Sequence, residues 1–161
     1  MPRVLTTYSG VSSTVERNLE WGLRHGRWGL RQEPRDFAVG RSFEWHLIGA
    51  RARGLPHGPR AQPQQWVTAE IDIYLLRVRS PLRLESSPLW PDEVEVGATH
   101  YPFRFDVELV AEAARVPAAY DEPIPKVLSE GVRRAAARAE GVYSVQERLW
   151  DQFLDRMRGA N

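Results

Sequence analysis

The clearest strand pattern in the chain is residues 66–79, Trp-Val-Thr-Ala-Glu-Ile-Asp-Ile-Tyr-Leu-Leu-Arg-Val-Arg. Ile71, Ile73 and Leu75 alternate with other side chains, and such an alternation is typical of a strand that buries one face. Residues 103–110 alternate in the same way and predict a last major strand. These two segments indicate that a β-sheet forms the centre of the fold.

The flanking segments extend this sheet and add helices. β-Branched and aromatic residues predict further strands in three segments, 3–8, 27–31 and 43–48. Ser13 and Glu16 have the spacing of a capping box, so we expect a helix that has Ser13 as its N-cap and ends near Gly26. From Ile124 onward the apolar spacing becomes helical, over 124–139 and 144–157. The pattern predicts an α+β fold, a small β-barrel of about five or six strands with flanking helices.

The composition bounds the class of protein. A chain of 161 residues with 42% hydrophobic residues suits one domain, and we expect it to span 1–161 with 124–161 as C-terminal helices. Cysteine is absent, which excludes disulfide scaffolds, zinc ribbons, iron–sulfur sites and thiol nucleophiles. No apolar run approaches the roughly 20 residues that span a bilayer, and the start lacks the apolar stretch of a signal peptide. We therefore expect a cytoplasmic protein that does not contact a membrane.

The charge is unevenly distributed. Residues 1–80 carry a net charge of +5 and residues 81–161 carry −4, and Lys126 is the only lysine among the basic residues. Arginine forms a planar fork that suits phosphates and base edges. Residues 49–65 predict a long loop that presents Arg51, Arg53 and Arg60, either to phosphates or only to solvent. The same two interpretations apply to three arginines near the first helix, Arg24, Arg27 and Arg31.

The motifs of common enzymes are missing from the sequence. It contains no Gly-x-Ser-x-Gly elbow, Walker loop, His-Glu-x-x-His pair or dinucleotide fingerprint. The four histidines do not have metal-ligand spacing. We therefore expect a binding module without catalytic residues, metal or cofactor. Tryptophan is abundant, and Trp28, Trp90 and Tyr101 stand at predicted strand ends and in loops, where aromatic rings can form a slot for a flat ligand. Trp45, Trp66 and Trp150 are instead expected in the core.

One stretch resembles a known family. Trp90-Pro91-Asp92-Glu93 followed by Tyr101-Pro102-Phe103-Arg104-Phe105 is similar to the signature of the EVE domain, a PUA-like family related to the YTH readers of methylated adenine in RNA. Gly26-Arg27-Trp28-Gly29 matches the start of that family's second strand. The resemblance covers about residues 3–140 and implies a PUA-like barrel.

The resemblance also implies a base-binding site. Trp28, Trp90 and Tyr101 would be the aromatic walls, with Tyr101 in the place of a tryptophan. Tyr8 and Ser9 would line the pocket, Ser12 stands where YTH readers have an acidic base-reading residue, and the Gly29 carbonyl would accept from an exocyclic amine.

EVE domains of this type resemble the sensors of modification-dependent restriction endonucleases that carry an HNH nuclease. The implied function is a reader that flips 5-methylcytosine or 5-hydroxymethylcytosine out of double-stranded DNA. The sequence has no His-Asn-His signature, so the chain is expected to be the reader alone, either as a stand-alone module or with the nuclease elsewhere in a longer protein. The alternatives are a YTH-like reader of modified RNA and an amidohydrolase of the related ASCH type, whose chemistry would depend on Lys126.

Overall fold

The structure, a computed structural model, describes residues 1–10, 12–35, 37–55, 58, 61–62, 65, 68–117, 131–135 and 140–159. Its strands are β1 (Arg3–Ser9), β2 (Arg27–Leu30), β3 (Trp45–Arg53), β4 (Glu70–Val78), β5 (Arg83–Leu84), β6 (Phe103–Pro117) and β7 (Val142–Ser144). Its helices are α1 (Ser13–His25), α2 (Pro91–Val96), α3 (131–135) and α4 (Glu147–Gly159). The fold is α+β, as the sequence predicts.

The strands form one curled sheet, a half-barrel with flanking helices. The order is β2-β6-β4-β3-β1-β7, and β5 pairs with β6 outside this path. Only β1 and β3 run parallel among the paired strands described. β6 is long enough to join two regions of the sheet, because residues 103–106 pair with β2 and residues 107–117 pair with β4. β2 therefore lies at one end of the curled sheet.

The described residues form two core clusters, one on each face of the sheet. On one face, Trp45 and the β4 residues Ile71 and Ile73 pack against Trp150 and Phe153 of α4. On the other face, which is the inside of the half-barrel, α1 and β2 contribute side chains to a cluster of Leu5, Leu19, Leu30, Ile48, Leu76 and Phe105. The core positions predicted for Trp45 and Trp150 are confirmed, and Trp66 lies outside the described residues.

α1 begins one residue earlier than the capping box predicts. The N-cap is Ser12, whose Oγ accepts from the Val15 N–H at 3.2 Å. The helix then ends at Gly26, which adopts the left-handed conformation with φ 68°, as its sequence position predicts. Ser13 is the first helical residue, so its predicted role as the cap is wrong.

Two of the predicted boundaries change in the structure. β3 continues through Arg51 to Arg53, so the segment predicted as a loop from residue 49 begins as a strand. The predicted helix from residue 144 is also wrong at its start, because Val142–Ser144 forms β7 against β1 and α4 begins only at Glu147. Three residues are too short for an alternation to reveal a strand.

Candidate functional site

A cavity lies in the gap between β1 and β2, where the half-barrel is open. Its volume is about 470 Å³. One side is lined by Thr7, Tyr8 and Ser9 of β1. The other side is lined by residues 28–30 of β2 and by residues 31–32, which follow that strand. α1 contributes Val15, Asn18 and Leu19, and the remaining lining residues are Gly10, Trp90, Tyr101 and Glu140.

The cavity brings together the three aromatic residues predicted as walls. Trp28 is half-buried and lies against His46, with ring centroids 5.2 Å apart. The Trp90 and Tyr101 rings meet edge to face at 5.7 Å. Trp90 is only 2% exposed, so its ring forms a fixed wall of the cavity and does not project into solvent. Trp28 and Trp90 make no ring contact with each other in the part of the chain described, so each presents its own surface to the cavity.

Gly29 lets Trp90 approach β2. A Cβ atom added at Gly29 would lie 2.5 Å from Cη2 of Trp90 and 2.9 Å from Cβ of Tyr101. Real Cβ contacts are not that short, so both walls sit where they do because residue 29 has no side chain.

The backbone of Gly29 also faces the gap. The backbone groups of Asp106 on β6 have partners other than β2: its N–H donates to Ser80 Oγ at 2.8 Å, and its carbonyl accepts from the Arg79 N–H. Asp106 therefore makes no backbone hydrogen bond to Arg27, its cross-strand neighbour on β2. Because hydrogen-bonded pairs alternate along an antiparallel ladder, Trp28 bonds β6 while Gly29 directs its N–H and C=O away from the sheet. β2 has no further neighbour in the described sheet, so these groups are free to bind a ligand.

β1 presents a similar unpaired edge. β7 pairs only with Arg3–Leu5, so the later residues of β1 have no described strand on that side. The Pro2 carbonyl bonds Val145 on the β7 side while the Arg3 carbonyl bonds Glu44 of the segment leading into β3. The same alternation directs the backbone of Tyr8 outward. The cavity is therefore flanked by two sets of fixed backbone donors and acceptors.

Asn18 is a cavity residue that the sequence reasoning missed. The Tyr101 hydroxyl donates to Asp92 Oδ2 at 2.7 Å, so it can only accept from Asn18, whose Nδ2 lies 3.4 Å away. Asn18 Oδ1 is buried and has no partner among the described residues. Burial and the hydrogen bond to Asp92 raise the pKa of Tyr101 to about 12, which keeps the hydroxyl protonated and this orientation in place. An asparagine on a helix carries no sequence signal for such a role.

The polar residues predicted around the pocket differ in their positions. Ser9 lines the cavity and is 4% exposed. Tyr8 also lines the cavity, but its ring packs against the core cluster that contains Trp45 and Trp150. Its hydroxyl accepts from the Ala52 N–H at 3.4 Å. Ser12 is not among the lining residues, because its side chain caps α1.

A buried histidine supports the wall formed by Trp28. His46 on β3 is completely buried, and its Nε2 lies 2.9 Å from Oγ1 of the cavity residue Thr7. Burial lowers the pKa of His46 to about 3, so the ring is neutral. A neutral ring packed between Trp28 and Phe105 holds the indole without adding charge to the site.

Two of the predicted phosphate-binding arginines are engaged inside the protein. Arg51 and Arg53 lie in β3, so their predicted loop position is wrong. Both bond Asp72, Arg51 at 2.6 Å and Arg53 at 2.9 Å, and Arg51 also pairs with Glu16 of α1. Burial alone would raise the pKa of the Asp72 carboxyl, but hydrogen bonds from the two arginines outweigh it and hold that pKa well below its usual range. A poorly exposed carboxylate needs these cations as counter-charges.

The remaining arginines lie near the cavity or outside the described chain. Arg31 stands over the Tyr101 ring at 5.2 Å, and neither Arg31 nor Arg27 has an ion pair with a described residue. Arg24 pairs with Glu20 at 2.7 Å, but both side chains are about 70% exposed, so the pair is easily exchanged for another anion. Arg60 lies outside the described residues.

The described residues contain no group of three or more histidines and acidic side chains placed to hold a metal ion. Within the described chain, no helix is both long enough and apolar enough to cross a membrane. No protein-family model matches the chain, and no curated protein matches it either.

Proposed function

We propose that the protein is an EVE-type reader of modified DNA, which binds a flipped 5-methylcytosine or 5-hydroxymethylcytosine in the cavity between β1 and β2. The single observation that carries the proposal is the convergence of Trp28, Trp90 and Tyr101 on one cavity of about 470 Å³. A nucleobase flipped out of its duplex needs such a pocket, with aromatic surface and a few polar groups.

The polar groups of the cavity suit a cytosine edge. The outward carbonyl of Gly29 and the unpartnered Oδ1 of Asn18 are two acceptors, and the N4 amine of cytosine has two hydrogens to donate. Because Tyr101 and Asp92 fix the asparagine amide, the acceptor is oriented before the base arrives. An acceptor aligned in advance discriminates against a base that offers no donor, because the acceptor would then stay buried without a hydrogen-bond partner.

The energies show what must distinguish the modified base. Base flipping costs a few kcal/mol, and stacking on aromatic rings returns about 1–3 kcal/mol per base. Burying the added methyl group contributes only about 0.8 kcal/mol, about a fourfold change in affinity. Stronger discrimination depends on a cavity that an unmodified base leaves partly empty.

Phosphate contacts would come from the arginines beside the cavity. Arg27 and Arg31 on or next to β2, with Arg24 at the end of α1, are the candidates that the structure leaves available. Arg51 and Arg53 stabilise the sheet instead. In this proposal the reader serves an HNH nuclease in a longer protein and acts in the cytoplasm.

The test is a binding assay with one DNA duplex that carries cytosine, 5-methylcytosine or 5-hydroxymethylcytosine at a single position. We expect tighter binding to at least one modified duplex, and we expect Trp28→Ala to abolish that preference while the circular dichroism spectrum stays native. Equal affinity for all three duplexes would reject the proposal. Preference for a matched modified RNA over the DNA would identify an RNA reader instead.

Salt dependence tests the phosphate contacts separately. Arg31→Ala should weaken binding to all three duplexes by the same factor and lower the slope of log K against log salt by about 1. The matched control is Arg79→Ala, which removes an exposed arginine that pairs with Glu108 on β6 and does not line the cavity. An unchanged slope for Arg31→Ala would show that this side chain does not contact phosphate.

A further inference from the structure

One carboxylate holds both ends of the segment that carries Trp90 and Tyr101. Glu93 of α2 is completely buried. Its Oε1 accepts from the N–H groups of Leu89 and Trp90 at 2.9 and 3.1 Å. Its Oε2 accepts from the N–H groups of His100 and Tyr101 at 2.6 and 2.9 Å. A single side chain thus fixes the backbone at both cavity walls.

A buried arginine completes the arrangement. Arg104 on β6 is 1% exposed and lies 3.3 Å from Glu93 Oε1. Its Nε donates to the Tyr101 carbonyl at 2.9 Å, and Nη2 donates to the carbonyl of Ser87. Its guanidinium stands over the Trp90 ring at 5.3 Å. Arg104 therefore contacts both walls as well as the carboxylate.

We propose that Glu93 and Arg104 are positioning residues, which set the separation of Trp90 and Tyr101 and thereby the fit of the base in the cavity. This inference rests on the proposed function. Neither residue lines the cavity, so both act through the walls that they hold.

The local secondary structure alone does not position these walls. Between β5 and β6 the chain forms only α2, a helix of six residues, and so short a helix is not stable alone. Burial tends to raise the pKa of Glu93, but the four N–H groups lower it below its ordinary value. The carboxylate is therefore ionised and accepts all four hydrogen bonds at neutral pH.

The experiment compares Glu93→Gln with Glu95→Gln in the full chain. Glu95 lies on the same helix, but it is exposed and pairs with Arg17. Glutamine at position 93 would direct an NH₂ group toward two of the four donors. We measure amide hydrogen exchange at Leu89, Trp90, His100 and Tyr101, together with the dissociation constant for the preferred modified duplex.

We expect Glu93→Gln to speed exchange at these four amides by at least about tenfold, because hydrogen bonds to a charged group are lost, while β3 and β4 exchange as in the wild type. Binding of the duplex should weaken in parallel. Glu95→Gln should change neither quantity, and Glu93→Asp should give intermediate values because it keeps the charge.

Two results would overturn the inference. One is Glu93→Gln with wild-type exchange and wild-type affinity. The other is exchange of the four amides in the wild type at the rate of exposed loop amides. This second result is measured on the wild type alone, so it does not depend on whether the variant folds. If the wild type binds all three duplexes equally, the proposed function fails, and the exchange data still report whether Glu93 holds the walls.

Discussion

At the scale of single residues, Gly29 is the more tightly surrounded of the two glycines that line the candidate site. Its missing side chain lets the Trp90 ring lie against β2, and its backbone faces the same cavity. Steric room and hydrogen-bonding capacity are therefore combined at one position. A larger residue there would change both the walls and the access of a ligand to the β2 edge.

Gly29→Ala should destabilise the protein and weaken ligand binding. The new methyl group would lie 2.5 Å from the Trp90 ring, so the ring must move, and overpacking of this kind costs about 1–3 kcal/mol. Urea unfolding and duplex titration measure the two effects. The control is Gly141→Ala, where the nearest atom would be 3.6 Å away, an ordinary contact. Equal stability of both variants would contradict the close approach of Trp90.

At the scale of elements, α1 links the cavity to the sheet. It contributes Asn18 and Leu19 to the lining, and Glu16 in its first turn pairs with Arg51 of β3. Its stability depends on how the helix begins, because the cap satisfies an N–H group of the first turn.

Ser12→Ala should lower the free energy of unfolding by about 1 kcal/mol, since the Val15 N–H loses its acceptor. Ser13→Ala should have almost no effect, because Ser13 is an exposed helical residue and alanine is a good helix former. Chemical denaturation of the two variants measures the difference. A larger loss for Ser13→Ala would mean that the capping box inferred from the sequence, and not the observed cap, is correct.

At the scale of the whole molecule, the buried His46 makes folding depend on pH. Its pKa is about 3 in the folded protein and 6.5 in the unfolded chain. Between these values the unfolded state binds more protons, so the free energy of unfolding falls as the pH decreases from 6.5 towards 3. This contribution is fully present above pH 6.5, and its slope is at most about 1.4 kcal/mol per pH unit.

His46→Gln should flatten this dependence, because glutamine does not titrate and still offers Thr7 a polar partner. Urea unfolding at several pH values between 4 and 7 measures the slope. The control is His25→Gln, which removes an exposed imidazole stacked on Trp21. If His46→Gln retains the wild-type slope, other groups determine the acid sensitivity.

Much of the fold could be predicted from local patterns. The alternation in residues 71–75 and 103–109 lies in β4 and β6, and the left-handed end of α1 is at Gly26 as its position predicts. The resemblance also predicted Trp28, Trp90 and Tyr101 as the walls of one site, and all three line one cavity. Their role in binding a base stays a prediction.

The sequence by itself determined the strand and helix periods and the aromatic and glycine positions, because these depend on neighbouring residues. Only the tertiary structure decided that Asp72 engages Arg51 and Arg53, that Glu93 holds two distant parts of the chain, and that Asn18 keeps an unpartnered oxygen beside the cavity. The physical reason is that strand register and sheet curvature bring these groups together across long stretches of chain. No local pattern records which charged or polar partner a side chain will meet.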